Sequence, residues 1–271
     1  MSENAYRIAV LTKYVPDTQF EQKLNDNLRV DRSESVMSEL DEYAVEAAMQ
    51  IIEAEGNEAA NSHVIAFTLG PEAASKGLRR ALQLGAHEGV HILDDAFAGA
   101  DALATSRIIA AALAVYEQEH GTFDLILAGM ASTEGETSLV PVQVSELLER
   151  TGISQVAALT LEGNTVKVRR DLDTRSQHCE TELPVLLSVT DQVNTPRYPN
   201  FKALMAAKKK PIVTLSAADI AQKLAEFGGS ASAVTVTEAQ AREERVAGEI
   251  VVDEGDGGVQ LVEFLASRNL I

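Results

Sequence analysis

The segment DLILAGMASTEGETSLVPVQVSELLER, residues 124–150, contains the strand, loop and helix that decide the fold. The run DLILA (124–128) is apolar throughout, which predicts a strand buried on both faces of a parallel sheet. A helix is predicted from about Ser138 to Arg150, and Gly129 opens the loop between them. In an open parallel sheet, ligands bind beyond the carboxyl ends of the strands, so this loop is a candidate binding site.

Small hydroxyl side chains crowd this loop just before the predicted helix. They are Ser132, Thr133, Thr137 and Ser138. Hydroxyl groups and unpaired backbone N–H groups at a helix start suit a phosphate, whereas the absence of a Walker lysine and of GxGxxG excludes a P-loop or a Rossmann fingerprint. Glu134 and Glu136 would oppose an anion unless their side chains point outward. From the spacing alone, a nucleotide-binding loop and an ordinary loop with a Ser/Thr helix cap both stay open.

Outward from this segment, apolar runs alternate with helical stretches. Predicted strands span residues 7–12, 63–69, 89–93, 124–128, 184–189 and 212–215, and predicted helices span about 42–54, 72–84, 102–119 and 138–150. Ser38 and Asp41 form a capping-box-like pair at the first helix, and residues 155–161 and 165–169 predict a β-hairpin. The alternation predicts one α/β domain with an open, mostly parallel sheet covered by helices.

Composition narrows the class of protein. The 271 residues are 45% hydrophobic, and the net charge is −18, from 41 acidic and 23 basic residues. Such a surface repels phosphate backbones and anionic lipids, which argues against nucleic-acid or membrane-surface binding. The single cysteine, Cys179, suits a reducing compartment. Neither a secretory leader nor a membrane-spanning run is recognisable, so we expect a cytoplasmic protein.

The sequence offers no recognisable catalytic centre. The five histidines are scattered, and Gly89 interrupts the helical spacing of His87 and His91, which disfavours a metal site. No Ser–His–Asp spacing, paired-carboxylate motif or CxxC is present. Cys179 follows His178 in a polar stretch without a glycine-rich turn, so a nucleophilic cysteine is not expected. We therefore predict a binding or carrier protein without catalytic residues or a metal of its own.

A second informative segment is NTPRYPNFKALMAAKKKP, residues 194–211. Its prolines hold the first part extended, and Tyr198 and Phe201 bring aromatic side chains into a chain in which only 4% of residues are aromatic. A short helix ending in positive charge is predicted at Ala203–Lys210. One interpretation is a surface loop with solvated lysines; the other is a docking loop in which Phe201 enters a pocket on a partner.

Four segments together resemble one family, the β subunits of electron-transfer flavoproteins. They are VLTKYVPDT (10–18), MSELDEYAVEAA (37–48), DLILAGMASTEGET (124–137) and TPRYPNFKALMAAKKKP (195–211). The resemblance covers roughly Arg7–Asp219. It implies an adenine-nucleotide-hydrolase-like fold and a heterodimer with an α subunit that holds most of a redox FAD. It further implies a structural AMP in this chain, and electron transfer from acyl-CoA and other dehydrogenases to a quinone oxidoreductase.

The resemblance also implies site residues. The AMP pocket maps onto Leu11, Ser38, Glu39, Leu40, Asp41, Leu69, Gly129, Met130, Ala131, Ser132, Thr133, Glu134, Gly135, Glu136, Thr137, Ser138, Leu139 and Val140. The loop near the flavin maps onto Val15, Pro16, Asp17 and Thr18, and partner docking maps onto Pro196, Arg197, Tyr198, Phe201 and Lys202. Relatives often have Asn-Pro where this chain has Ser38-Glu39, and a Gln where it has Leu139. These departures bear on the identity of the nucleotide.

The resemblance divides the chain into a nucleotide-binding domain, residues 1–215, and a C-terminal arm, residues 216–271, that wraps the partner subunit. Two alternatives stay open. One is a free-standing nucleotide-binding regulator of the universal-stress type, which would need neither the docking segment nor the arm. The other is a subunit of a flavin-bifurcating complex, which would hold a second FAD in place of AMP.

Overall fold

The computed structural model describes residues 5–26, 28–54, 62–224, 226–240, 248 and 250–271. Its contacts divide the chain into two units, Met1–Glu238 and Ala239–Ile271. Residues 216–238, which were predicted to belong to the arm, are part of the first unit. The ring of Phe227 lies 5.5 Å from that of Phe97, and Asp101 accepts hydrogen bonds from the backbone N–H groups of Ala233 and Val234.

Most predicted elements are confirmed, although several ends differ, as for the helix predicted at Ala203–Lys210, which spans Phe201–Ala207. The strands are β1 (Arg7–Thr12), β2 (Tyr14–Pro16), β3 (Ser35–Met37), β4 (His63–Leu69), β5 (Glu88–Ile92), β6 (Leu125–Gly129), β7 (Thr151–Glu162), β8 (Thr165–Leu172), β9 (Arg175–Glu182), β10 (Val185–Val189) and β11 (Ile212–Leu215). The helices are α1 (Glu39–Ala54), α2 (Ser75–Leu84), α3 (Ala102–His120), α4 (Val140–Leu147), α5 (Phe201–Ala207), α6 (Ala217–Ile220) and α7 (Gly257–Ser267). Gly85 ends α2 at φ 137°, a conformation that side chains with a Cβ rarely adopt.

Within the described residues, nine strands form one sheet in the order β11-β5-β4-β1-β6-β10-β7-β8-β9. The pairs from β11 to β7 are all parallel. From β1 the chain builds outward through β4 and β5, and then returns to place β6 on the other side of β1. The strand order therefore reverses between β1 and β6. In open α/β sheets, ligands bind in the crevice beyond the carboxyl ends of the strands at such a reversal.

Both faces of the parallel region are covered by helices, as the fully apolar strands predict. Successive side chains of a strand point to opposite faces. Ile8 and Val10 accordingly join the core that packs against α1 and α2. Ala9 and Leu11 join the core beneath α3 and α4. The predicted α/β class is confirmed.

The predicted hairpin is part of a larger antiparallel element. β7, β8 and β9 form a three-stranded meander, so the two-stranded prediction was incomplete. The missed strand β9, RSQHCETE, alternates between exposed and half-buried residues and has no apolar face of its own. The edge of a sheet tolerates such a strand, because neither of its faces has to fill a core.

Helix α4 is shorter than predicted at both ends. The chain enters it through Ser138, whose φ of 55° is not helical, and Pro141 in its first turn suits a helix start. At the other end Glu149 has a φ of 54° and β7 begins at Thr151. The predicted helix over 138–150 therefore contains eight helical residues, Val140–Leu147.

In the second unit, α7 has no buried residue. Most large apolar side chains of α7 and of the residues on either side of it are exposed. They are Ile250, Val251, Val252, Val259, Leu261, Val262, Phe264, Leu270 and Ile271. Among the described residues, no helix is both long and apolar enough to cross a membrane.

Candidate nucleotide site at the switch point

The predicted nucleotide residues converge where the strand order reverses. Leu11, Leu69 and Gly129 lie at the carboxyl ends of β1, β4 and β6, three neighbouring strands of the sheet. The loop 129–140 leaves β6 at this edge, and the backbone N–H of Met130 donates to the carbonyl of Val189 at 2.9 Å. Helix α1 begins against the same loop. Segments far apart in sequence thus meet at one edge of the sheet.

The buried side chain of Asp41 connects these segments. Its carboxylate accepts the backbone N–H of Lys13 at 2.7 Å, and the nearby backbone N–H of Gly129 also favours its charged form. A Cβ at Gly129 would lie 2.7 Å from the Asp41 carboxylate and 2.9 Å from the backbone of Leu40, so only glycine allows this approach. Burial raises the pKa of Asp41 to about 7, even though both N–H donors lower it.

The predicted capping box at the start of α1 was wrong. The backbone N–H of Ser38 donates to the carbonyl of Lys13 at 2.9 Å, so it is not paired with the Asp41 side chain. The Ser38 hydroxyl instead accepts the backbone N–H of Thr133 at 3.4 Å. Both side chains join α1 to its neighbours. Ser38 and Asp41 are buried, and buried backbone N–H groups need partners within the protein.

Two cationic side chains, Lys13 and Arg32, contact the loop, and neither was among the predicted site residues. The Lys13 ammonium donates to the Ser132 hydroxyl at 3.2 Å and to the Glu134 carbonyl at 3.0 Å, and it pairs with the Glu134 carboxylate at 2.8 Å. Arg32 pairs with the same carboxylate. Burial raises the pKa of Glu134, but the two cations outweigh it and hold the pKa below its ordinary value.

The remaining loop residues are more open. Thr137 and Ser138 are exposed, as is Glu136, so the latter charge does point outward. Gly135, Glu136 and Ser138 have φ angles of 83°, 46° and 55°, and tight left-handed turns of this kind form N–H concavities that bind anions. No side chain caps α4 at its N-terminus. Hydroxyl groups, uncapped N–H groups and two nearby cations form a donor set that fits a nucleotide phosphate.

The other predicted sites lie outside the loop 129–140. Val15–Thr18 follow β1 at the same sheet edge, where β2 pairs with β3 and Val15 and Pro16 are buried. Phe201 begins α5, 77% exposed, and Tyr198 is 92% exposed. Pro196 and Lys202 belong to the same segment. Arg197 instead pairs with Glu46 and Glu53 of α1.

Comparison with known proteins identifies the class. The model of the electron transfer flavoprotein domain family matches residues 27–220. The chain is 38% identical over 267 residues to "Electron transfer flavoprotein subunit beta" of Mycobacterium bovis, which covers 97% of this chain and 99% of the relative. A protein of the same name from Thermoanaerobacterium thermosaccharolyticum is 33% identical over 269 residues, 97% of this chain and 99% of the relative.

A third relative is "Caffeyl-CoA reductase-Etf complex subunit CarD" of Acetobacterium woodii, 32% identical over 272 residues, 98% of this chain and 100% of the relative. The family model and these matches, together with an α/β fold that is consistent with them, define an electron-transfer flavoprotein component. Within that class, the chain belongs to the electron-transfer flavoprotein family and is similar over nearly its full length to the β subunits. This assignment favours the flavoprotein over a free-standing stress-type regulator.

Proposed function

We propose that this chain is the β subunit of a heterodimeric electron-transfer flavoprotein and that it holds an AMP in the crevice between β1 and β6. The observation that carries the proposal is the convergence of the hydroxyl-rich loop, the uncapped start of α4 and the Lys13–Arg32 cation pair at one sheet edge. In a member of this family, that donor set is the part of the chain best suited to a phosphate.

The nucleotide would be held mainly by backbone N–H groups of residues 129–140, with Ser132 and Thr133 as hydroxyl partners near the loop start. Lys13 and Arg32 lie close enough to Glu134 to offset its charge. Leu11 and Leu69 would wall the base, since both end strands at this edge. A bound AMP would be structural, filling the crevice and fixing the loop.

The redox FAD would lie mainly in the α subunit, and residues Val15–Thr18 would approach its ring. The flavin would supply the electron chemistry when bound, and this chain would supply part of the protein surface around its ring. The second unit, Ala239–Ile271, would form the arm that wraps the α subunit. Its exposed apolar side chains on α7 need such a partner, because within that unit the helix buries none of them.

Donors would be acyl-CoA and related dehydrogenases, and the acceptor a membrane quinone oxidoreductase. Docking would use α5, where Phe201 would enter a pocket on the dehydrogenase.

Phe201→Ala should raise the dehydrogenase KM by roughly 10–30-fold while flavin content stays unchanged, because a buried aromatic anchor contributes about 2 kcal/mol. Val213→Ala, at another exposed apolar position, is the control. Equal donor kinetics for all three proteins would refute docking through Phe201.

A second candidate is a flavin-bifurcating subunit with a second FAD in the crevice. It is favoured by the similarity to the protein named as a subunit of a caffeyl-CoA reductase-Etf complex, and by the departures at Ser38-Glu39 and Leu139. Leu139 is 49% exposed, so it presents an apolar rather than an amide surface to a ligand.

Nucleotide content separates the two candidates. The chain, purified together with a co-expressed α subunit, is denatured and the released nucleotides are quantified by chromatography. One FAD and one AMP per heterodimer would support the proposal. Two FAD and no AMP would support the bifurcating candidate, and a colourless homodimer that releases ATP would refute both.

A further inference from the structure

Helix α5 points its largest apolar side chains outward. Tyr198, just before it, is 92% exposed, Phe201 is 77% exposed and Met205 is 45% exposed, whereas Ala207 is the one buried residue of the helix. A seven-residue helix is unstable by itself in water. Because apolar burial contributes so little here, other contacts must hold α5 in place.

The entry to α5 is held by Arg197. Its guanidinium donates to Glu46 at 2.6 and 3.2 Å, and to Glu53 at 2.6 and 2.9 Å. These four bonds use nearly all the N–H donors of the guanidinium. Its backbone N–H also donates to Glu46 at 3.2 Å, and the Asn194 amide donates to the Tyr43 carbonyl at 2.9 Å. The two carboxylates raise the pKa of Arg197 above its ordinary value.

The exit from α5 is held by two further cations. Arg79 of α2 donates to the carbonyls of Ala207 and Lys210 at 3.0 Å each. Lys210 donates in return to three carbonyls at the end of α2, those of Leu82, Gly85 and Ala86, at 3.0, 2.9 and 2.6 Å. Each helix thus receives, at its negative C-terminal end, a cation carried by the other segment.

We propose that Arg197 is a positioning residue for partner docking: it fixes α5 in a pre-formed state so that Phe201 is already oriented when the redox partner arrives. This inference rests on the proposed docking function. It changes the role that the family resemblance gave Arg197, because a guanidinium whose donors are committed to two carboxylates has little left to offer a partner. A pre-formed helix binds without the entropic cost of ordering it.

The test uses the purified heterodimer and an acyl-CoA dehydrogenase reduced by its acyl-CoA. Arg197→Gln should raise the dehydrogenase KM about tenfold, as expected if α5 is ordered in only about a tenth of the molecules. kcat and flavin content should stay unchanged, and amide hydrogen exchange should accelerate in residues 201–207. Arg80→Gln is the matched control, since Arg80 bridges to Glu42 between α1 and α2 without touching α5.

A double-mutant cycle separates positioning from direct contact. In a Phe201→Ala background, Arg197→Gln should change KM less than twofold, because Arg197 then has no anchor to position. Fully additive effects of the two substitutions on KM would overturn the inference. So would an unchanged KM for Arg197→Gln when Phe201→Ala raises the KM. An unchanged KM for Phe201→Ala would remove the docking function itself. Glu53→Gln, which deletes only one arm of the fork, gives the same test if Arg197→Gln does not fold.

Discussion

Protonation of Asp41 should make this protein more stable in mild acid than at alkaline pH. Burial raises the pKa of Asp41 in the folded chain to about 7, from an ordinary 3.8. A raised pKa means that the stabilisation is complete below the unfolded pKa and is lost as pH rises through the folded pKa. Between pH 5.5 and 8.0 the loss is about 2 kcal/mol in the free energy of unfolding.

The perturbation is Asp41→Asn, which removes the titrating group but keeps its shape. Free energies of unfolding are measured by urea titration at several pH values, at one protein concentration and in the assembly in which the chain purifies. From pH 5.5 to 8.0 the wild type should lose about 2 kcal/mol more than the variant. The difference cancels other titrating groups, which both proteins share.

Asp173→Asn is the control, because it removes the same charge at an exposed turn between β8 and β9. Its pH profile should parallel that of the wild type. Parallel profiles for Asp41→Asn and wild type would refute the reasoning, since they would mean that the N–H groups of Lys13 and Gly129 keep the buried carboxylate ionised throughout. Carboxyl-carbon NMR of labelled Asp41 would then give the pKa directly.

Three further outcomes are expected. Gly129→Ala should lower the free energy of unfolding by about 2 kcal/mol or more and abolish nucleotide retention, because the added Cβ would clash with the Asp41 carboxylate. A variant that keeps both its nucleotide and normal stability would contradict this. Glu134→Gln releases Lys13 and Arg32 from their ion pairs and should slow the loss of AMP on dialysis several-fold. A faster loss of AMP would show that the carboxylate is needed to keep the loop in place. Glu117→Gln should lower the free energy of unfolding by about 3 kcal/mol, because it leaves the largely buried Arg150 without a charged partner. An unchanged melting temperature would contradict this prediction.

The sheet was largely predictable because its strands carry strong local signals. β1 and β4 are apolar runs closed by turn residues, and their limits were predicted correctly. β9 lacked such a signal, since an edge strand needs no apolar face. The end of α4 was not predictable from propensity, because β7 takes over at Thr151 through pairing with β10, a contact with a distant segment.

The nucleotide site stays a prediction, and the sequence pointed to its loop but not to the charged side chains around that loop. The rule that ligands bind beyond strand ends pointed to residues 129–140. The same rule could have found Lys13, the first residue after β1, but not Arg32, which reaches Glu134 across 102 positions. Arg197 was assigned to docking by resemblance, whereas only the three-dimensional structure shows its two carboxylate partners on α1.

The crevice between β1 and β6 is assembled from residues that are far apart in the chain: Lys13, Asp41 and Gly129 meet only when the centre of the sheet has closed. A crevice of such high contact order cannot exist in a nascent or half-folded polypeptide. The nucleotide that we propose for this crevice would therefore bind only after the central strands have paired. Retention of that nucleotide through purification would then report that the centre of the sheet has formed correctly.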